Sequence, residues 1–214
     1  MRARTSVIVP LRQPGAGKSR LARMLSPEAR AELATAMLSD VVAALRASAV
    51  DEVVIAADGP AAARAAATTG ARVVLDPPGT ADLDTALAAA AVQVPADRDL
   101  LVVPADLPRL TGQDVDALLA AQQPVVVAPT AGGGTGGLLR RVGARIPTAY
   151  GPGSAARHVA AARHAGLQAT TVERDGFHHD VDTWTDLVAL HEVELGARTA
   201  QVLPSVLGHG VRAG

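Results

Sequence analysis

The sequence predicts an α/β fold: a single three-layer, Rossmann-like domain with a mostly parallel sheet. Three observations predict it. Short β-branched runs alternate with capped, Ala-rich segments, the rhythm of βα units joined by right-handed crossovers. The chain has 214 residues, an ordinary size for one such domain. Hydrophobic residues make up 49% and aromatics 1%, so the core must be aliphatic, built from Val, Leu, Ile and Ala.

Each element follows from local signals. Thr5–Val9 is a β-branched run fit for a buried parallel strand. A polar loop follows from Leu11 to Arg20. Ser26-Pro27-Glu28 then reads as N-cap, first helical position and first-turn acid of a helix reaching about Arg46. Glu52–Ala56 is a second strand and Gly59-Pro60 opens an Ala-rich helix. Arg72–Leu75 is a third strand, ended by Asp76-Pro77-Pro78-Gly79, and Asp82 or Asp84 caps the next helix. Asp99–Val103 is a fourth strand, and Thr111 caps a helix to about Gln122. Pro124–Ala128 is a fifth strand, after which the rhythm changes: Gly132–Gly137 is glycine-rich, and Ala155–Ala165 is a helix. Ala169–Glu173 is a late strand and Trp184–Leu195 the last strong helix. The domain is read as residues 1–196. The tail 197–214 has little periodicity and reads as loosely held.

Composition excludes several function classes. Net charge is -1, and Arg140-Arg141 is the longest cationic run, so nucleic acid is not the expected partner. Cys is absent, which removes disulfides, thiolate metal sites and a cysteine nucleophile. Pro10 and Arg12 break the first apolar run too early for a signal segment, and no stretch approaches a membrane span. The expectation is a soluble, cytoplasmic protein without membrane partners. A homodimer is compatible with this, and nothing in the residues fixes the oligomeric state.

Polar clusters fall at strand ends, where open α/β sheets bind ligands. Gly15-Ala-Gly17-Lys18-Ser19 suggests a phosphate-binding P-loop, but Arg12 stands where that motif needs its first Gly. The alternatives are a solvated loop, or Lys18 and Arg20 as cations placed to grip a triphosphate. Asp106, in Pro104-Ala-Asp-Leu-Pro108, follows a strand, and Asp180 and Asp182 share one face if extended. The three carboxylates form an all-oxygen set suited to Mg²⁺ (or Mn²⁺). Asp182 or Thr183 can also cap the last helix, with Asp186 completing the box. Gly132–Gly137 permits close backbone approach to a ligand. Gly151-Pro-Gly-Ser154 opens a helix whose N–H groups favour an anion, although Ser154 as a plain cap is the competing reading. His178-His179 beside Asp180 raise a transition-metal site, disfavoured because strand neighbours point apart, and His158 and His164 read as helix-surface residues.

The ordered set Val9-Pro10-Leu11-Arg12, Gly17-Lys18-Ser19-Arg20-Leu21-Ala22, Pro104–Pro108, Gly132–Thr135, Tyr150–His158 and Asp180–Thr183 resembles the 2-phospho-L-lactate guanylyltransferases, including the phosphoenolpyruvate guanylyltransferases of deazaflavin coenzyme biosynthesis. The resemblance spans residues 6–195. It implies a nucleotidyltransferase fold of the nucleotide-diphospho-sugar transferase type. The implied reaction transfers GMP from GTP to a three-carbon phosphoacid and releases pyrophosphate. It places metal on Asp106, Asp180 and Asp182, and the phosphoacid on Thr135, Gly151 and Ser154. Arg12, Lys18, Arg20 and Asp84 fall to the nucleotide, with Lys18, Arg20 and Asp106 catalytic. Asp84, Thr130-Ala131 and Gly136 depart from the family pattern. Rival readings are a molybdopterin or sugar-phosphate nucleotidyltransferase, a P-loop kinase, or a non-catalytic nucleotide-binding protein.

Overall fold

The β-branched runs are strands, and one further strand begins within the glycine-rich segment. The computed structural model describes residues 3–12, 19–80 and 82–210. Seven strands form one sheet: β1 (Thr5–Leu11), β2 (Glu52–Ala57), β3 (Arg72–Leu75), β4 (Asp99–Val102), β5 (Val125–Pro129), β6 (Thr135–Arg140) and β7 (Ala169–Thr171). The helices are α1 (Pro27–Arg46), α2 (Pro60–Ala67), α3 (Leu83–Val92), α4 (Gly112–Ala120), α5 (Ser154–His164), α6 (Asp175–His178), α7 (Trp184–Ala189) and α8 (Ala197–Gly210). Strand order is β3-β2-β1-β4-β6-β5-β7, and β6 alone runs antiparallel to its neighbours.

Alternation along the strands builds two aliphatic layers. Val7, Val9, Leu11, Leu101, Val126 and Leu139 turn to the layer under α1, α2, α4 and α6. Ile8, Leu100, Val102, Val125, Val127 and Leu138 turn to the layer under α3 and α5. A third, smaller core lies off the sheet, where Leu33 and Met37 of α1 meet Leu187 of α7 and Leu203 and Val206 of α8.

The caps read from the sequence form as expected. Ser26 caps α1, and Asp82, not Asp84, caps α3 through the Thr85 N–H at 2.9 Å. Thr111 with Asp114 and Thr183 with Asp186 form two capping boxes. Several expectations are corrected. The second half of the glycine-rich segment, Thr135–Gly137, opens β6, seated between β4 and β5, and Gly132–Gly134 lie in the turn before it. Its glycines serve packing: a Cβ on Gly136 would lie 2.5 Å from the Phe177 carbonyl oxygen, and one on Gly137 3.1 Å from the Phe177 ring. The last strong helix stops at Ala189 and continues as a 3₁₀ turn over Leu190–Glu192. The late strand ends at Thr171. Arg141, half of the only cationic run, bonds Asp99 at 2.6 Å and the carbonyls of Leu119 and Ala121, both at 2.7 Å. It staples the end of α4 to the sheet.

Residues 197–210 of the tail are not loosely held. Residues from Ala197 form α8, which packs on α1. The buried carboxylate of Asp40, in the middle of α1, accepts from the N–H groups of Arg198 (3.0 Å) and Thr199 (2.7 Å). Gly196 N–H donates to the Pro108 carbonyl at 2.8 Å. The cap for this helix thus comes from a residue far away in sequence, which local periodicity does not reveal. Among the described residues no helix is long and apolar enough to cross a membrane.

Candidate active site

Strand order sets the residues chosen from the sequence along one edge of the sheet. The parallel strands all end there and antiparallel β6 begins there. Across that edge, Asp76 follows β3, Asp58 follows β2, Arg12 follows β1, Asp106 lies in the loop after β4, and Thr135 opens β6. Arg20 is exposed in a 3₁₀ turn (Ser19–Leu21) anchored by fully buried Leu21. Lys18 lies outside the described residues. Arg12 points its Nη1 at Asp76 Oδ2, 4.0 Å away.

The loops that carry the aspartates touch. Val181 N–H donates to the Asp106 carbonyl at 3.3 Å. Val181 is buried in the third core, so its neighbours Asp180 and Asp182 flank an inward anchor. Asp180 does not follow a strand directly, because α6 intervenes after β7. It reaches the β4 exit through the Val181–Asp106 bond. Asp182 is exposed and does not cap α7; Thr183 does, and Asp182 N–H itself donates to Asp186 at 3.1 Å. The donor set is hard oxygen throughout, the kind Mg²⁺ takes as one or two carboxylates completed by phosphate oxygens and water. Among the described residues no group of three acids or imidazoles stands close enough to hold an ion by itself. His178 and His179 meet edge to face, with ring centroids 5.1 Å apart.

Farther along the edge, Thr135 and Ser154 come together. Their hydroxyls are 2.9 Å apart, and His158 Nδ1 is 3.0 Å from Thr135 Oγ1. All three side chains are buried. His158 Nε2 accepts from Ala149 N–H at 2.9 Å, so the imidazole is neutral with its proton on Nδ1, donating to Thr135. The loop before α5 is held from further sides: Asp84 Oδ1 accepts from Tyr150 N–H at 3.1 Å, and the Arg157 guanidinium bonds the carbonyls of Ala149, Tyr150 and Pro152. Gly151 (φ +113°) and Gly153 (φ +70°) turn that loop in a region side chains disfavour. Gly153, not Ser154, is the cap residue of α5. Two first-turn donors are already taken, Ser154 N–H by Gly151 and Ala155 N–H by Gly133.

The family model described as "Guanylyl transferase CofC like" matches residues 5–205. The chain belongs to this family. Phosphoenolpyruvate guanylyltransferase of Roseiflexus castenholzii is 40% identical over 183 residues, 86% of each chain. The 3-phospho-D-glycerate guanylyltransferase of Phenylobacterium zucineum is 40% identical over 196 residues, 87% of this chain and 89% of that one. Among solved structures, a Desulfovibrio desulfuricans G20 protein assigned to the nucleotide-diphospho-sugar transferases superposes with a TM-score of 0.80 at 16% identity, covering 99% of both chains. That likeness shows the fold alone.

In this guanylyltransferase-family chain, His158 is the site residue that sequence reasoning placed wrongly. It is not on a helix surface but wholly buried, whereas His164 is exposed. The signal was present: Ser154 and His158 stand four apart, on one helix face. Burial, with Arg140 and Arg157 nearby, holds the imidazole down to about 4 from an ordinary 6.5. The unfolded chain therefore binds a proton in this window that the folded chain refuses. His158 contributes stability that is complete above about pH 6.5 and is lost as pH falls through about 4. Urea midpoints should drop across that window. His158→Gln, which cannot take the proton, should show a shallower slope, and an unchanged slope would refute the assignment.

Proposed function

We propose that the chain transfers GMP from GTP to the phosphate of a three-carbon phosphoacid, phosphoenolpyruvate in the first instance, and releases pyrophosphate. The observation that carries this reading is the layout of one sheet edge. Cations at the β1 exit (Arg12, then Arg20), carboxylates at the β4 exit and the Thr135–Ser154 pair at the head of β6 stand in the order that donor phosphates, reacting centre and acceptor require.

The acceptor phosphate is already anionic, so its oxygen needs no strong general base to attack the α-phosphorus. The leaving pyrophosphate departs in line. The difficulty is bringing anions together. Arg20, with Lys18, balances charge on the leaving group. Thr135, Gly151 and Ser154 shape the acceptor end, and the fixed loop before α5 keeps it in register with Asp106. A divalent ion held by Asp106, Asp180 and Asp182 would supply charge neutralisation between acceptor and donor phosphates.

The two relatives at 40% identity carry different acceptors in their names, phosphoenolpyruvate and 3-phospho-D-glycerate, so the second acceptor is the specific alternative. Transfer to phosphoenolpyruvate, or to 2-phospho-L-lactate, would place the chain in deazaflavin coenzyme biosynthesis. The test is incubation with GTP, Mg²⁺ and each phosphoacid in turn, reading pyrophosphate and the mass of the guanylylated product. GDP release would indicate a kinase instead. GTP binding without pyrophosphate, with every acceptor, would overturn the proposal.

A further inference from the structure

Thr135, Ser154 and His158 are buried and joined by two contacts, Ser154 to Thr135 at 2.9 Å and Thr135 to His158 Nδ1 at 3.0 Å. Each contact uses one proton. The two hydroxyls bring one proton each, so the imidazole decides the balance. With a bare Nδ1 the ring would take the Thr135 proton, Ser154 would donate to Thr135, and no hydroxyl proton would remain. With a proton on Nδ1 the ring fills an acceptor position on Thr135, and one hydroxyl proton of the pair is left over. We propose that His158 is a positioning residue for the acceptor: held by Ala149 N–H, it gives its Nδ1 proton to Thr135 and so leaves the Thr135–Ser154 pair a hydroxyl proton to donate to the phosphoacid anion. This rests on the guanylyltransferase reading and adds a residue to it.

Four observations support it. First, the tautomer is fixed from outside the trio. Ala149 N–H donates to His158 Nε2 at 2.9 Å, which puts the ring proton of a neutral imidazole on Nδ1. Second, the leftover hydroxyl proton has no acceptor beyond the trio among the described residues. A buried donor without a partner is costly, so the pair suits a ligand that accepts. Third, backbone donors beside the pair are spent. The N–H groups of Ser154, Ala155 and Arg157 bond the carbonyls of Gly151, Gly133 and Gly153. The start of α5 therefore offers an anion fewer amides than a bare helix end, and a hydroxyl donor counts for more. Fourth, the turns next to the pair are bare. Gly133 and Gly153 meet backbone to backbone, a Cβ on Gly133 lying 4.0 Å from Gly153 Cα, so neither puts a side chain over the hydroxyls. The ring itself is steadied by Tyr150, edge to face with centroids 5.2 Å apart. Burial, then Arg140, opposes a second proton on the ring; Asp84 favours one and Arg157 opposes it, so the imidazole stays neutral at neutral pH.

The test has two parts. The tautomer is read by NMR in the unmodified chain labelled with ¹⁵N-histidine, the His158 signals being those lost in His158→Asn. Nδ1 should be protonated and Nε2 bare; a proton on Nε2 overturns the proposal. Binding of phosphoenolpyruvate, 2-phospho-L-lactate and 3-phospho-D-glycerate is then measured by calorimetry for the unmodified chain, His158→Asn and His158→Met, alongside thermal melts. Both variants lose the Ala149 contact. The Asn amide can still donate from near the Nδ1 position, whereas Met fills the space and donates nothing. For the phosphoacid bound most tightly, His158→Met should weaken binding roughly tenfold or more and His158→Asn only about threefold. In turnover the loss should fall on the acceptor KM, with kcat and the GTP KM little changed. A merely structural His158 predicts the reverse order, because Met replaces the lost volume and Asn leaves a cavity. Folded variants in which Met binds as well as Asn, or better, overturn the proposal, and if neither folds the tautomer decides. Binding of none of the three acids would remove the acceptor site and the proposal with it. Pyrophosphate release is scored separately. Its absence in the unmodified chain would refute the transferase reading, while the tautomer and the binding order still decide the role of His158.

Discussion

Asp106→Ala is expected to lower turnover by roughly a thousandfold or more, since removing charge stabilisation from a phosphoryl-transfer centre costs several kcal/mol of barrier. The fold should survive. Asp106 is half-buried in a loop, and a backbone bond from Val181 N–H to its carbonyl, which alanine retains, joins this loop to the Asp180–Asp182 segment. Its buried neighbour Leu107 also stays in place. Melting temperature and GTP binding without metal should therefore remain near those of the unmodified chain, while pyrophosphate release collapses. Asp182→Asn should behave alike, because Asp182 is exposed and α7 keeps its Thr183–Asp186 cap. Wild-type-like rates for either variant in Mg²⁺ would remove that residue from the reacting centre.

The legible parts of this fold are those governed by local chemistry. Thr5–Val9 declares itself by β-branching, α1 by Ser26-Pro27, and α4 by Thr111, because a cap or a strand run needs only neighbours in sequence. The placement of Asp106 was equally readable, since its strand precedes it directly. What escaped has tertiary causes. Strand β6 contains Gly136 and Gly137, which lack strand propensity; it is held by pairing with β4 and β5, and the glycines leave room for Phe177 to lie across it. His158 looked like a surface residue because its helix is short and its burial depends on Thr135 and Ala149 reaching it. Asp84, which the resemblance gives to the nucleotide, also has one oxygen on Tyr150 N–H in the loop before α5. Each of these contacts joins separate elements, which no window along the chain contains.

The C-terminal helix α8 also depends on a partner from a separate element, the Asp40 carboxylate of α1. The first N–H groups of a helix need acceptors, and α8 finds them in the two oxygens of Asp40 across the interface with α1. The carboxylate is buried, faces the positive end of the helix dipole, and bonds both donors while charged. Asp40→Ala removes both acceptors and strands the amides in a site water enters poorly, so unfolding free energy should fall by about 2–4 kcal/mol. Asp40→Asn keeps one acceptor oxygen and should cost less. Gly196 is the complementary half of this junction: a Cβ there would sit 2.2 Å from Asp40 Cγ, so Gly196→Ala must push the cap away. Because both changes break one contact, the double variant should lose less than the sum of the single losses. Urea denaturation of the four proteins closes that cycle. Additive losses, or an Asp40→Ala loss within about 0.5 kcal/mol, would mean that Leu203 and Val206 hold α8 in the third core without its cap. If the cap governs, the damage should extend toward the site, since Gly196 also bonds Pro108 in the loop of Asp106, and Val181 shares the core that α8 closes.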